Sequence, residues 1–295
     1  MISTNSTPNK VGLLAGWGSY PAAVAAALRA QGYEIYCIGL KDHADERVLR
    51  PLCTDFRWLG FGKFGQAIAY YRGRGVRQAV MAGKFHKKLL YQPWVWLRHL
   101  PDGTAVRGFY HHFVTGKKDN KDDSLLGAAV DVFAAGGIEF LPATDFVPEL
   151  LAVAGQYTRR GLSAAQQRDV EFGWQLAKAM GRLDVGQTVV VKDRAVIAVE
   201  AIEGTDACIR RAGELCPSGG FTVVKVAKPE QDMRFDVPTI GRGTLESLAG
   251  AGGRVLAIEA DKTILLDMTQ VIDYADRHQL VIVALREAEA LRMAG

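Results

Sequence analysis

The sequence predicts an α/β protein with a Rossmann-like, parallel-sheet domain in its N-terminal half and a second, mixed α/β domain in its C-terminal half. Short apolar runs alternate with segments of helical length through the first half, and this βαβ rhythm favours a parallel, doubly wound sheet. A polar, basic stretch at residues 153–163 separates it from a second set of strands and helices. The length of 295 residues also favours two domains. We place them at 1–152 and 163–295, with a linker at 153–162.

The first half contains four apolar runs of strand length and three helix-like segments. Pro21 opens the first helix, where its missing N–H would be unpaired in any case. Residues 85–116 break the rhythm with mixed aromatic and basic side chains, which indicates a helical excursion or a mobile lid. The predicted strands are 10–15, 34–40, 79–82 and 139–141, and the predicted helices are 21–30, 64–74 and 125–135.

The second half begins with a capped helix. Ser163 is a suitable N-cap for a helix that reaches about residue 180, and Gly181 is expected to end it. Asp193 and Arg194 form a tight turn between two strands. These two strands are 188–192 and 196–201. The other predicted strands are 221–226, 255–259, 263–266 and 280–285, and the other helices are 205–212, 244–251 and 269–279.

Composition limits the functional classes. The net charge of +4 suits a small anionic substrate or a membrane face but not a nucleic-acid partner. The four cysteines lack CxxC spacing, which indicates reduced thiols in a cytoplasmic protein rather than a zinc site or a disulfide framework. Trp94 and Trp96, flanked by basic residues, predict peripheral contact with a membrane interface, although core packing is the alternative.

A glycine-rich turn joins the first strand to the first helix. The backbones of Gly16, Trp17 and Gly18 could approach a phosphate or nucleotide at the helix N-terminus, although a plain tight turn is the alternative. Pro21 occupies the place of the third glycine of a dinucleotide fingerprint, which weighs against a nicotinamide or flavin site. Lys84 follows another predicted strand, where it would either face a ligand crevice and pair with phosphate or be a solvated surface lysine.

Two segments combine carboxylates with a predicted helix start. Asp122 and Asp123 would lie near a divalent metal or a sugar hydroxyl, or would simply cap the next helix. Glu200 and Glu203, two carboxylates three residues apart, precede Thr205 and Asp206 between a strand and a helix. Their oxygens could bind Mg²⁺ or ribose hydroxyls, and a capping arrangement is the alternative.

The segment at 228–241 concentrates charge between two apolar stretches. In an extended conformation Asp232, Arg234 and Asp236 would project from the same face. Together with Lys228 they could neutralise a diphosphate and hold a metal or a water. The alternative is a loop held by an Asp–Arg ion pair, which at the surface contributes only about 0–1 kcal/mol.

These blocks resemble, in order and over about residues 10–285, the LpxI-type UDP-2,3-diacylglucosamine pyrophosphatases. The matching blocks are VGLLAGWGSYP at 11–21, AGK at 82–84, KDDSLL at 121–126, the long block at 181–211 that contains EGTD, and KPEQDMRFDVPTIG at 228–241. The EGTD and QDMRFDVPTIG blocks are the specific ones.

The resemblance implies an enzyme of lipid A biosynthesis that hydrolyses UDP-2,3-diacylglucosamine to UMP and lipid X (2,3-diacylglucosamine 1-phosphate). Water would attack the phosphorus on the sugar side. The family implies two domains around a lipid-holding cleft, a homodimer, and dependence on Mg²⁺ or Mn²⁺. We therefore expect a lipid-linked UDP-sugar as substrate, and a cytoplasmic enzyme in peripheral contact with the inner membrane.

The resemblance also implies roles for single residues. Asp236 takes the place of the essential acid, and Asp232 is the second choice. Lys228 and Arg234 would neutralise charge in the transition state. Metal ligands are expected from Asp236, Glu203 and Asp206, and substrate contacts from Gly16, Trp17, Gly18, Lys84, Asp122, Asp123, Gln231 and Thr205. Two alternatives stay open: a nucleotide- or UDP-sugar-binding module without hydrolysis, and a glycosyltransferase-like enzyme that would release UDP.

Overall fold

The computed structural model describes residues 9–84, 100–114, 122–229, 231–235 and 237–292, with side chains placed in all of these except 109–114 and 122–125. The chain forms two compact units. The first comprises Met1–Pro148 with Asp232–Phe235, and the second comprises Glu149–Gln231 with Asp236–Gly295.

The first unit is built on a five-stranded parallel sheet, as predicted for a Rossmann-like domain. Its order is β3-β2-β1-β4-β5, so the strand order reverses between β1 and β4. β3 was not predicted from the sequence. The strands are β1 (Lys10–Ala15), β2 (Glu34–Leu40), β3 (Asp55–Leu59), β4 (Gln78–Ala82) and β5 (Glu139–Leu141).

Helices connect these strands and cover the sheet. The described helices are α1 (Tyr20–Ala30), α2 (Glu46–Leu49), α3 (Phe64–Gly73), α4 (Gly103–Val114), α5 (Asp122–Ala135) and α6 (Ala143–Phe146). Tyr71 of α3, Phe133 of α5 and Phe140 of β5 are fully buried in one shared core. Within the region 85–116, residues 103–114 are helical, while 85–99, which include Trp94 and Trp96, lie outside the described residues.

The second unit contains a mixed sheet of the order β6-β13-β11-β9-β7-β8, which confirms the predicted mixed α/β class. β9, β11 and β13 are parallel, whereas β7 and β6 run antiparallel to their neighbours. The strands are β6 (Gly155–Gln156), β7 (Thr188–Lys192), β8 (Ala195–Val199), β9 (Thr222–Lys225), β11 (Val255–Glu259) and β13 (Val281–Leu285). A separate parallel pair consists of β10 (Thr239–Ile240) and β12 (Ile264–Leu265). β6 lies inside the segment expected to be a linker.

Helices pack on both faces of this sheet and bury two apolar clusters. They are α7 (Ala164–Arg182), α8 (Thr205–Leu215), α9 (Arg242–Gly250), α10 (Met268–Arg277) and α11 (Glu287–Ala290). Trp174 of α7 is fully buried against one face. None of the described helices is both long and apolar enough to cross a bilayer.

Local sequence signals explain the ends of two elements. The predicted cap is confirmed, since the Ser163 hydroxyl accepts from the Gln166 N–H and the Gln166 side chain accepts from the Ser163 N–H. The predicted hairpin turn is also confirmed, because Asp193 and Arg194 both adopt positive φ, 51° and 60°. The prediction that Gly181 ends α7 is wrong, because the helix continues to Arg182.

Candidate functional site

The carboxyl ends of β1 and β4 meet at the point where the strand order of the first sheet reverses. Gly16 donates its N–H to Ala82 O (2.8 Å), and the backbones of Trp17 and Lys84 exchange hydrogen bonds of 3.0 and 2.9 Å. The Trp17 side chain is half exposed (50%). Open α/β sheets bind ligands at this kind of switch point. The structure therefore brings the predicted residues Gly16, Trp17 and Lys84 together in a position suited to a ligand.

Glycine is required where these two backbone segments cross. Gly83 has φ +99°, and a Cβ on it would lie 2.8 Å from the Gly16 carbonyl carbon and 2.8 Å from Pro21 Cγ. Gly18 has φ +105°, which a side chain would strain. Helix α1 begins directly afterwards, and its Ser19 N-cap makes no side-chain capping hydrogen bond. The turn thus presents a close-packed backbone at a helix N-terminus, a common arrangement for binding anions.

Buried polar side chains gather where β9 ends and α8 begins in the second unit. The Lys225 ammonium donates to Thr205 Oγ1 (2.7 Å), and the Thr205 hydroxyl donates to Glu200 Oε1 (3.0 Å). Thr188 Oγ1 lies 3.4 Å from the same hydroxyl. All four residues are buried. Thr205 links a buried cation to a buried anion, and its predicted contact with substrate stays a prediction.

Two carboxylate oxygens near this network are buried without a hydrogen-bond partner. They are Glu200 Oε2 and Asp206 Oδ1. Leaving a buried acceptor unpaired costs free energy unless a ligand or water satisfies it. Among the described residues, no group of three or more His, Cys, Asp or Glu side chains is arranged to hold a metal ion.

Glu203 differs from its neighbours because both of its oxygens are engaged. Glu203 Oε2 accepts from the Ala201 N–H (3.1 Å), and Oε1 accepts from Arg211 Nη2 (2.5 Å). Partial burial alone would raise the pKa of Glu203, but these hydrogen bonds and the Arg211 charge outweigh it, so the pKa is lowered. The side chain therefore stabilises the turn at Gly204, which has φ +83°.

The segment that leaves β9 is folded into a tight local structure. The Lys228 N–H donates to Gln231 Oε1 (2.8 Å), and the Gln231 N–H donates to Lys228 O (3.1 Å). The Lys228 ammonium lies 2.5 Å from Asp184 Oδ1. The structure therefore brings together Lys228 and Gln231, both of which were predicted site residues.

Asp232 and Arg234 pair with each other. Arg234 Nε donates to both Asp232 oxygens (2.9 and 3.0 Å), Nη2 donates to Oδ2 (2.5 Å), and the Arg234 N–H donates to Oδ1 (3.0 Å). Burial alone would raise the pKa of Asp232, but the bonds to Arg234 outweigh it and lower the pKa. The Asp232 carboxylate in turn raises the pKa of Arg234.

The expected extended conformation of this stretch is wrong for the described residues. Residues 233–235 form a turn, in which the Phe235 N–H donates to Asp232 O (3.3 Å). The Asp–Arg ion pair of the alternative interpretation is present, and the roles of Asp232 and Arg234 at a diphosphate stay predictions. Asp236 lies outside the described residues, and Asp122 and Asp123 lie in the first turn of α5, where side chains are not described.

Two family models match this chain. The model described as the LpxI N-terminal domain matches residues 10–150, and the model described as the LpxI C-terminal domain matches residues 153–283. The chain belongs to the LpxI family. A protein of Caulobacter vibrioides named UDP-2,3-diacylglucosamine pyrophosphatase LpxI is 29% identical over 287 residues, which cover 95% of this chain and 99% of that protein.

Sequence reasoning missed several charged residues of this LpxI-family chain. They are buried in the second unit and lie within the span matched by the LpxI C-terminal model. Two of them carry a readable signal, since a charged residue directly follows an apolar strand run in TVVK and VLAIE. The missed residues are Lys178, Lys225 and Glu259.

Proposed function

We propose that this chain hydrolyses the diphosphate of UDP-2,3-diacylglucosamine in lipid A biosynthesis and releases UMP and lipid X. Membership of the LpxI family, together with similarity to the Caulobacter vibrioides protein over 99% of that protein's length, carries the proposal. The described residues support it, because they provide a switch-point turn suited to a nucleotide and cations suited to a diphosphate.

The nucleotide part of the substrate fits the switch point of the first unit. The Gly16 and Gly18 backbones let phosphate oxygens approach, and the first turn of α1 contributes its positive end. Lys84, which is exposed, would pair with a phosphate oxygen. The half-exposed Trp17 ring supplies an apolar surface for the uridine.

We propose Mg²⁺ or Mn²⁺ as the cofactor. The hydrogen bonds that each carboxylate already makes indicate which carboxylates are available as ligands. Asp206 Oδ1 and Glu200 Oε2 fit, because they are buried carboxylate oxygens without a partner, and hard cations prefer oxygen ligands. Glu203 does not fit, because Ala201 and Arg211 already occupy it. We therefore assign the ion to Asp206 and Glu200, with Asp236 as the third carboxylate. When bound, the ion would neutralise charge on the diphosphate.

The chemistry of hydrolysis then assigns roles to the remaining side chains. Asp236 orients the attacking water and takes up its proton. The water oxygen bonds to the sugar-side phosphorus, the bond from that phosphorus to the bridging oxygen breaks, and UMP leaves with the bridging oxygen. Lys228 and Arg234 stabilise the negative charge that develops on the phosphoryl oxygens. Asp232 fixes the Arg234 guanidinium through its fork of hydrogen bonds.

We also propose a homodimer in the cytoplasm that makes peripheral contact with the inner membrane. The family resemblance supports the dimer. The two acyl chains of the proposed substrate support the membrane contact, because such a lipid partitions into a bilayer.

Product identity tests the proposed function. Purified protein is incubated with UDP-2,3-diacylglucosamine and either Mg²⁺ or Mn²⁺, and the nucleotide product is identified by mass spectrometry. UMP with lipid X supports the proposal. UDP formed only with an acceptor sugar would identify a glycosyltransferase, and binding without any product would identify a nucleotide-binding module.

A further inference from the structure

A bidentate ion pair is buried between α7 and β11. The Lys178 ammonium lies 2.8 Å from Glu259 Oε1 and 2.7 Å from Oε2, and the exposed Lys262 ammonium lies 3.0 Å from the same Oε1. The two residues are only 6% and 3% exposed, respectively. Lys178 lies on α7, and Glu259 is the last residue of β11. Neither residue has a part in the proposed chemistry, so their burial needs another explanation.

The same pair binds both polar backbone groups of Ala227. The Ala227 N–H donates to Glu259 Oε2 (2.8 Å), and Lys178 Nζ donates to Ala227 O (3.1 Å). Ala227 lies where the chain leaves the sheet, since the residue before it, Val226, still donates to Gln187 O (3.0 Å). The ion pair therefore holds the backbone of Ala227 at the point where the hydrogen bonds between strands end.

The next turn of α7 holds the residues that follow Ala227. Gly181 lies three residues after Lys178 on this helix. A Cβ at Gly181 would lie 3.1 Å from Pro229 Cδ and 3.2 Å from Lys228 Cα, so the absence of a side chain leaves room for these two residues. The helix thus contacts the segment twice, through an ammonium at Ala227 and through a bare backbone at Lys228 and Pro229. The direction in which this segment leaves the sheet is set by α7 and β11.

Stability alone does not account for such a pair. Desolvating two charges is costly, and apolar residues of similar volume are often neutral or stabilising in place of a buried ion pair. Only a charged or polar pair, however, can satisfy an N–H and a C=O of the same residue. We propose that Lys178 and Glu259 are positioning residues, which fix Ala227 and thereby the segment that begins at Lys228 and leads to Asp236. The inference rests on the proposed diphosphate hydrolysis, in which this segment supplies the reacting groups.

The test separates positioning from a merely structural role. The double variant Lys178→Met/Glu259→Leu removes both charges and keeps apolar volume, a replacement that buried ion pairs often tolerate. Positioning predicts that kcat for UMP release falls about 10- to 100-fold, while KM changes little. It also predicts faster amide hydrogen exchange in the peptide that contains Ala227 and Lys228. The matched control Arg242→Met/Glu246→Leu removes an exposed ion pair on α9 and should change neither quantity.

Conservative substitution keeps the test decisive if the double variant fails to fold. Glu259→Gln retains an acceptor for the Ala227 N–H, so it should keep more of kcat than Glu259→Leu. A folded double variant with wild-type kcat and unchanged exchange at Ala227 would overturn the inference, as would equal kcat in Glu259→Gln and Glu259→Leu. If wild-type protein releases no UMP, the proposed function fails, but the exchange measurement still tests positioning on its own.

Discussion

The charged residues near the candidate site differ in whether a protein group already binds them. The Asp232 carboxylate accepts from both the guanidinium and the backbone N–H of Arg234, which fixes the plane of the guanidinium. Glu203 binds Arg211 and so supports the turn before α8. Asp206 has a buried oxygen without a protein partner. The partner of each carboxylate, rather than its place in a motif, therefore decides which one is available to a ligand.

The metal assignment predicts a contrast between two neighbouring carboxylates. Asp206→Asn should weaken Mn²⁺ binding about tenfold or more, because it removes a charged oxygen ligand. Glu203→Gln should leave Mn²⁺ affinity unchanged, because the Glu203 carboxylate binds Arg211 instead. Titration of protein with Mn²⁺, followed by electron paramagnetic resonance, measures both without reference to turnover. Stronger loss in Glu203→Gln than in Asp206→Asn would contradict the assignment.

The Asp232–Arg234 pair predicts a pH dependence of stability. The pKa of Asp232 is lowered from 3.8 in the folded chain, so the stability that the pair contributes is present above about pH 4 and is lost as pH falls through the lowered pKa. Arg234→Met should therefore reduce the free energy of unfolding by about 0–1 kcal/mol at pH 7, because the pair is partly exposed. The difference from wild type should vanish in acid, as measured by urea unfolding at several pH values. A difference that grows in acid would exclude this linkage.

At the scale of elements, the switch point depends on the close crossing of two turns. Gly83 and Gly32 both have positive φ, +99° and +84°. A Cβ on Gly83 would meet backbone atoms at 2.8 and 2.9 Å, whereas a Cβ on Gly32 would meet nothing within 4 Å. A substitution at Gly32 therefore adds backbone strain alone. A substitution at Gly83 adds strain and also pushes apart the two turns that cross there.

This pair of glycines gives a matched prediction. Gly32→Ala should cost about 1–3 kcal/mol of stability through strain alone and leave UMP affinity unchanged. Gly83→Ala should cost more stability and weaken UMP binding, because Trp17 and Lys84 must separate. Thermal unfolding and calorimetric titration with UMP measure the two effects. Equal UMP affinity in both variants would argue against a nucleotide site at this turn.

Elements with strong local signals were predictable from the sequence, and the others depended on tertiary context. The Ser163 cap and the Asp193–Arg194 hairpin carry their own turn chemistry, so both predictions are confirmed. β3 was missed because Asp55 and Arg57 interrupt its apolar pattern, and it lies at the edge of the sheet. Gly181 resembled a helix stop, but its bare backbone makes room for Lys228 and Pro229.

At the scale of the molecule, each of the two α/β units has a candidate feature of its own. The first provides the switch-point turn, which was predictable because glycines and an apolar strand mark it. The second provides a network of buried charges. The sequence indicated Glu200 as a possible ligand, but its burial together with Lys225 becomes visible only when several strand ends are assembled. Family membership gives the reaction, and the described geometry shows which side chains are already engaged.

Hydrolysis in ¹⁸O-labelled water tests the central claim most directly. Wild-type protein with UDP-2,3-diacylglucosamine and Mn²⁺ should place one ¹⁸O atom in lipid X and none in UMP, as read by mass spectrometry. Asp236→Ala should lose this product while Asp273→Ala, which changes an exposed carboxylate on α10, keeps it. Label found in UMP, release of UDP, or wild-type turnover in Asp236→Ala would contradict the account.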